Sequence, residues 1–320
     1  MKIRHTIVCG FLAVILALTF VSCPEEGDLQ KWTAVEDSTI QVYSTTGGWR
    51  AGSVSGIAYG NNRFVAGGYA VSMAYSANGA SWTAVSEPSP GLDAIAYGNN
   101  RFVVGEMGGQ MAYSADGISW TRVSDSTFGG NDISAIAYGN GRFVAVGNSG
   151  KMAYSTNGEG WTAVADSTFG TSDIGSIAYG NNRFVAGGQD GKMAYSTDGI
   201  SWITVADSTF GTTYISGIAY GNGRFVAVGG YDKMAYSADG TSWTAVTNST
   251  FGTSYINAIA YGKNRFVAVG YDGKMAYSAD GESWTAVADS TFTSAIRGIA
   301  YGKNRFVAVG DLDKIAYCDW

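Results

Sequence analysis

One tetrapeptide, Ile-Ala-Tyr-Gly, recurs seven times, beginning at Ile57, Ile95, Ile136, Ile177, Ile218, Ile259 and Ile299, at spacings of 38, 41, 41, 41, 41 and 40 residues. A period of this size restricts the chain to repeat architectures, in which each unit buries its apolar surface only against its neighbours. From each of the first six copies a tryptophan follows 25 residues on, at Trp82, Trp120, Trp161, Trp202, Trp243 and Trp284. The interior of the unit therefore keeps one length. Insertions and deletions fall between units.

Four short apolar segments separated by turn residues make up each unit. In the fourth copy they are Ile174 to Tyr179, Arg183 to Gly187, Lys192 to Ser196 and Trp202 to Val205. The first turn is Asn-Asn, Asn-Gly or Lys-Asn, dominated by residues that tolerate the positive φ of a two-residue hairpin. The third is Ser-Thr-Asp198-Gly199, where a carboxylate can accept hydrogen bonds from following amides and glycine takes the left-handed position. No segment has the length or the period of a helix, and β-branched and aromatic residues dominate, so helical solenoids are excluded. Four antiparallel strands per repeat predict an all-β, seven-bladed β-propeller.

The two ends of the chain complement one another. The seventh copy runs to Ala316-Tyr317-Cys318-Asp319-Trp320, three strands into its unit, while Trp32-Thr33-Ala34-Val35 carries an unattached fourth-strand sequence. The expectation is a propeller over residues 32–320, closed by its N-terminal strand 32–35 in blade 7, which removes an open sheet edge and leaves a monomer.

Ahead of that strand, a short basic segment, Met1-Lys2-Ile3-Arg4-His5, leads into an apolar stretch from Thr6 to Phe20 and then Val21-Ser22-Cys23. The stretch is shorter than the roughly 20 residues that cross a bilayer as a helix, and the layout reads as a signal peptide over residues 1–22. Its end resembles the lipobox of bacterial lipoproteins, with Phe20 where leucine is usual. That resemblance implies a lipidated Cys23, a tether over residues 23–31 and anchorage to a membrane of the cell envelope. Loss of Lys2 and Arg4 would take the formal charge from −6 to −8, a balance that disfavours nucleic acid. His5 and Cys9 would leave too, so the remaining chain has no histidine, and Cys318 and the acylated Cys23 form no disulfide framework.

The run Tyr-Ser-Ala-Asp-Gly-x-Ser-Trp, at Tyr113 to Trp120, Tyr236 to Trp243 and Tyr277 to Trp284, resembles the Asp-box repeat of sialidases and related propellers, one residue shorter between Asp and Gly. The resemblance implies the fold. In that family the boxes are structural hairpins on the face away from the active site, so it does not imply an activity. Seven arginines, Arg63, Arg101, Arg142, Arg183, Arg224, Arg265 and Arg305, open the second strands, and sialidase-like enzymes bind a carboxylate with three arginines. Here they occupy one equivalent position in every blade, which points to structural pairing, for example with the turn carboxylates Asp116, Asp198, Asp239 and Asp280. The tryptophans can stack sugars, but one at the start of every outer strand reads first as packing between blades. Cys318 replaces a serine found in the other six copies and has no histidine to activate it. Single-copy acids such as Glu87 and Glu106 form no pair of fixed spacing for glycoside hydrolysis, and no ligand set for a metal or signature of a cofactor is present.

Aligning the seven copies with each other shows where they differ. Six residues after each arginine stand Tyr69, Met107, Asn148, Gln189, Gly230 (followed by Tyr231), Tyr271 and Asp311. Four before each isoleucine stand Ser53, Gly91, Asp132, Asp173, Tyr214, Tyr255 and Ala295; two before it stand Ser55, Asp93, Ser134, Gly175, Ser216, Asn257 and Arg297. In an up-and-down blade these positions emerge on one face, around the central channel, together with the first linker, Gln41 to Arg50, and Pro88 and Pro90. Candidate ligand residues are Tyr69, Met107, Asn148, Gln189, Tyr231, Tyr271, Asp132, Asp173, Tyr214, Tyr255 and Arg297, with neutral drift of loops as the alternative. The expected function is a non-enzymatic envelope scaffold binding a protein or polymer there; a multivalent glycan lectin is second and an Asp-box glycosidase third.

Overall fold

The computed structural model describes residues 31–36, 52–85 and 91–319. The expected signal peptide, Cys23 and tether (apart from Lys31), the linker from Gln41 to Arg50, and Glu87, Pro88, Pro90 and Trp320 lie outside the described residues. Seven four-stranded antiparallel sheets form a ring. In blade 4 the strands Ile174–Gly180, Arg183–Gly188, Met193–Ser196 and Ile203–Thr204 pair in chain order from the channel outward. Blade 7 combines Ile296–Gly302, Arg305–Gly310 and Ile315–Asp319 with Thr33–Ala34 as its outer strand, Thr33 opposite Tyr317 and Ala34 opposite Ala316. The ring is closed as the sequence predicts.

Local chemistry sets the turns. Asn181 and Asn182 take φ of 45° and 57°, the two-residue hairpin that joins Gly180 to Arg183. In the third turn Asp198 Oδ1 accepts from the amides of Ile200 and Ser201 at 2.8 Å, and Gly199 has φ of 73°. Burial alone would raise the Asp198 pKa, but these amides and the Ser196 hydroxyl outweigh it and lower it.

Core clusters lie between adjacent blades rather than inside one. Phe184, Ala186 and Trp202 of blade 4 pack with Val144 and Val146 of blade 3, and Trp82 of blade 1 with Val307 and Val309 of blade 7. The repeated tetrapeptide is part of the same joint. A Cβ on Gly180 would stand 2.0 Å from Cγ of Tyr220 in the next blade, whose ring lies 4.7 Å from Phe225; a Cβ on Gly302 would stand 2.1 Å from Cγ of Tyr59, which brings the series back to blade 1. Tyrosine from each following blade thus lies on the glycine of the one before it.

The arginines differ from the expected pairing. Each lies over the third-strand tyrosine of its own blade, as Arg183 does over Tyr195 at 4.9 Å, and several reach a backbone carbonyl of the next blade's third turn. Arg101 Nη1 donates to Asn157 O at 2.8 Å and Arg183 Nη1 to Asp239 O. The turn carboxylates are already engaged by amides. Carboxylate partners are the residue one past the turn glycine in Arg101–Glu159 and Arg224–Glu282, and Asp319 at the end of the third strand for Arg305. Trp82, Trp161 and Trp284 are buried, and each indole donates to the carbonyl of its turn glycine.

Candidate functional site: the channel mouth

Every inner strand carries a β-bulge at the same place. In blade 3 Ile133 pairs with Gly147 and Ala135 with Val146, so Ser134 is the extra residue; in blade 2 Leu92 pairs with Glu106 and Ala94 with Gly105, leaving Asp93. A bulge turns its extra side chain away from the alternation of the strand. Here it turns seven such residues, Ser55, Asp93, Ser134, Gly175, Ser216, Asn257 and Arg297, into a central cavity of about 530 Å³. They are one of the positions that differ most among copies.

Three of these seven side chains tie blades together. Ser55 Oγ donates to Leu92 O at 2.8 Å, Ser216 Oγ to Ile256 O and Asn257 Nδ2 to Ile296 O at 2.8 Å, each to the following blade. Asp93 and Arg297 depart from that pattern. Arg297 forms a two-point ion pair with Asp311 at 2.9 and 3.0 Å and lies over the Tyr271 ring at 5.2 Å. Asp93 has no donor to offer while ionised. Burial, reinforced by the charge of Asp132, pushes its carboxyl up to about 6.

Around this opening the candidate residues fall into two arcs. The first, on blades 2 to 4, is acid and amide. Asp132 Oδ1 accepts from the Gly108 amide at 2.7 Å and its Oδ2 from Asn148 Nδ2 at 3.1 Å; Asp173 accepts from the Ser149 amide at 2.8 Å, while its own amide donates to Gln189 Oε1. These two aspartates therefore also hold the loop of the preceding blade. The second arc, on blades 5 to 7, is aromatic. Tyr231 and Tyr255 have ring centroids 4.8 Å apart at 52°, Tyr255 and Tyr271 5.9 Å apart at 60°. Tyr214 lies against the Gly175 backbone between the arcs, and burial together with Asp173 pushes its phenol up to about 12. Tyr69 and Met107, 45% and 43% exposed, stand on the rim outside these contact groups.

Among the described residues ten large apolar or aromatic side chains are exposed, and seven of them (Tyr69, Met107, Tyr214, Tyr231, Tyr255, Tyr271 and Leu312) belong to this face, so the apolar surface is gathered there. Sequence reasoning singles out Arg297 alone from the bulge positions; the structure adds Asp93. Their variation among copies is the signal available beforehand. Two other groups are removed from consideration as reactive. Glu106 is buried, with Arg122 Nη1 3.0 and 2.9 Å from its two oxygens, and Cys318 is 2% exposed with its thiol pushed up to about 11 by burial and Asp319.

Fold and site together define a seven-bladed β-propeller with a varied, aromatic and acidic channel mouth. A scan against protein-family models gives no match, and a search of curated proteins gives none. Solved structures are similar in fold. YCF48 bound to D1 peptide is 15% identical with a TM-score of 0.67, covering 88% of this chain and 98% of that one. Virginiamycin B lyase from Staphylococcus aureus is 12% identical with a TM-score of 0.72, covering 83% and 94%. A Niastella koreensis GH74 enzyme is 22% identical with a TM-score of 0.62, and the match spans 83% of this chain and 43% of that longer chain. At these identities the likeness concerns the propeller.

Proposed function

We propose that the protein is a non-enzymatic, lipid-anchored scaffold of the cell envelope that binds a protein or other polymer over its channel mouth. The observation that carries this reading is the concentration of exposed tyrosines on the one face where the repeats differ. Tyrosine offers a large apolar body and a polar tip at low cost in conformational entropy, which is why it is enriched in interfaces. The opposite face is repetitive and spent on turns: its aspartates bind amides and its arginines bind carbonyls and tyrosine rings. Envelope location rests on the signal-like segment and the lipobox-like Val21-Ser22-Cys23. That a propeller of similar fold is described as bound to a peptide is in keeping with a polymeric ligand. Replacing Tyr214 and Tyr255 together by alanine is expected to abolish binding of envelope-extract ligands while lowering the melting temperature by no more than a few degrees. Undiminished binding would sink the proposal. Turnover of fluorogenic glycosides by the purified protein would replace it with the glycosidase reading.

A further inference from the structure

We infer that the ligand of the channel mouth is a basic peptide segment, its apolar residues resting on the tyrosine arc and an arginine or lysine side chain entering the channel against Asp93 and Asp132. This rests on the proposed binding role and names the chemistry of the partner. Three independent features of the mouth support it.

The first is the missing donor. At the bulge position Ser55, Ser216 and Asn257 each supply a hydrogen bond to a carbonyl of the next blade, whereas Asp93 supplies a carboxylate. No described residue donates to Asp93, and Asp132 stands near enough to disfavour its charge. A guanidinium or ammonium group entering from outside brings both the donors and the charge that this part of the channel lacks.

The second is charge balance. Asp93, Asp132 and Asp173 fall on consecutive blades, and among the described residues the one cation that lines the cavity, Arg297, is already neutralised by Asp311. Three rim lysines are spent on linker carbonyls: Lys192 Nζ donates to Phe169 O at 3.2 Å, Lys274 Nζ to Phe251 O at 2.8 Å and Lys314 Nζ to Thr291 O. Among the described residues, blades 2 to 4 thus present an acidic arc to a ligand, which favours a cationic one and speeds its approach.

The third is ring geometry. A pyranose stacks on an open, flat aromatic face, but Tyr231, Tyr255 and Tyr271 are tilted at 52° and 60° to one another, and Arg297 covers a face of Tyr271. Tilted rings offer edges, hydroxyls and the clefts between them, which suit aliphatic side chains of a peptide better than a sugar ring.

The test uses fluorescence anisotropy of the purified protein with three dye-labelled probes: a peptide alternating arginine, leucine and glycine, its counterpart with glutamate for arginine, and a neutral cello-oligosaccharide. The arginine peptide is expected to bind and the other two not. Asp93→Asn with Asp132→Asn, which keeps the side-chain shape and one acceptor oxygen at each position, is expected to weaken it by about tenfold or more, and Tyr214→Ala with Tyr255→Ala by a comparable factor. If the tyrosine variant loses binding but the asparagine variant does not, or if either other probe binds as tightly in a tyrosine-dependent way, the basic-peptide inference is overturned and the binding face stands. If no probe binds below about 1 mM, or if binding ignores the tyrosines, both are overturned.

Discussion

Gly180→Ala adds one methyl group at the joint between blades 4 and 5. Glycine-to-alanine changes at compatible backbone positions stabilise by roughly 0.4–1 kcal/mol through the unfolded chain. At Gly180 the new Cβ would lie 2.0, 2.3 and 2.4 Å from three carbons of the Tyr220 ring, where ordinary contact is near 3.5 Å or more. The ring must move by about 1.5 Å, and it is held against Phe225 at 4.7 Å, so the displacement opens the packing on both sides. Overpacking of a closely packed site costs about 1–3 kcal/mol, and the lost aromatic contact adds about 1, which gives an expected loss of about 3 kcal/mol. Urea unfolding followed by tryptophan fluorescence measures it. Gly160→Ala is the control: nothing lies within 4 Å of its Cβ position, and it should stabilise by roughly 0.4–1 kcal/mol. In a Tyr220→Ala background the Gly180→Ala penalty should fall below about 0.5 kcal/mol, because the colliding ring is gone. Equal effects at positions 160 and 180, or an undiminished penalty without the tyrosine, would refute the interlocking of blades by this contact.

Three further outcomes follow from particular side chains. Asp93 has a folded-state pKa near 6, above its usual 3.8, so the fold favours the neutral acid; its penalty is absent below about pH 3.8 and complete above about pH 6. Two pKa units amount to about 3 kcal/mol, which partial exposure to water in the channel reduces to about 1–2; Asp93→Asn should stabilise by that much at about pH 7.5 and by nothing at about pH 3.5, read from urea midpoints. Thr250 takes φ of 71° although it is β-branched, and its hydroxyl is buried without a partner, so Thr250→Gly should raise stability by about 1 kcal/mol in thermal unfolding, with a decrease counting against strain in the linker. Cys318, with its thiol near 11 rather than 9, should react with iodoacetamide about a hundredfold more slowly in the folded protein than in urea at about pH 8, as followed by mass spectrometry.

The propeller was legible because the repeat has an unvarying interior: the hairpin asparagines, the Asp198-Gly199 turn and the orphan Trp32-Thr33-Ala34-Val35 each correspond to a local structural requirement. The bulges were not legible. Each copy carries one at the same place, so the extra residue leaves the period unchanged, and Asp93 reads only as one of several variable positions. The arginines were placed correctly, but Arg101, Arg183 and Arg305 take backbone carbonyls one blade away, which have no sequence signature, and Arg101, Arg224 and Arg305 take the carboxylates of Glu159, Glu282 and Asp319. Likewise the glycine of Ile-Ala-Tyr-Gly is conspicuous in sequence, but the ring that requires it belongs to the next copy. The same limit holds for the tyrosine arc: Tyr231, Tyr255 and Tyr271 are spaced across two repeats, and only the ring brings them to 4.8 and 5.9 Å.

The central claim, that ligand docks on the varied face, is tested most directly by photo-crosslinking from two matched positions. Tyr231 on the mouth is 64% exposed and Ile203 on an outer strand is 56% exposed, so a photoreactive phenylalanine analogue at either position meets solvent to a similar degree. With the arginine-leucine-glycine peptide and, in parallel, with envelope extract, crosslinked product should form from position 231 and not from position 203. Equal yields from the two positions, or product from position 203 alone, would contradict a binding face at the channel mouth.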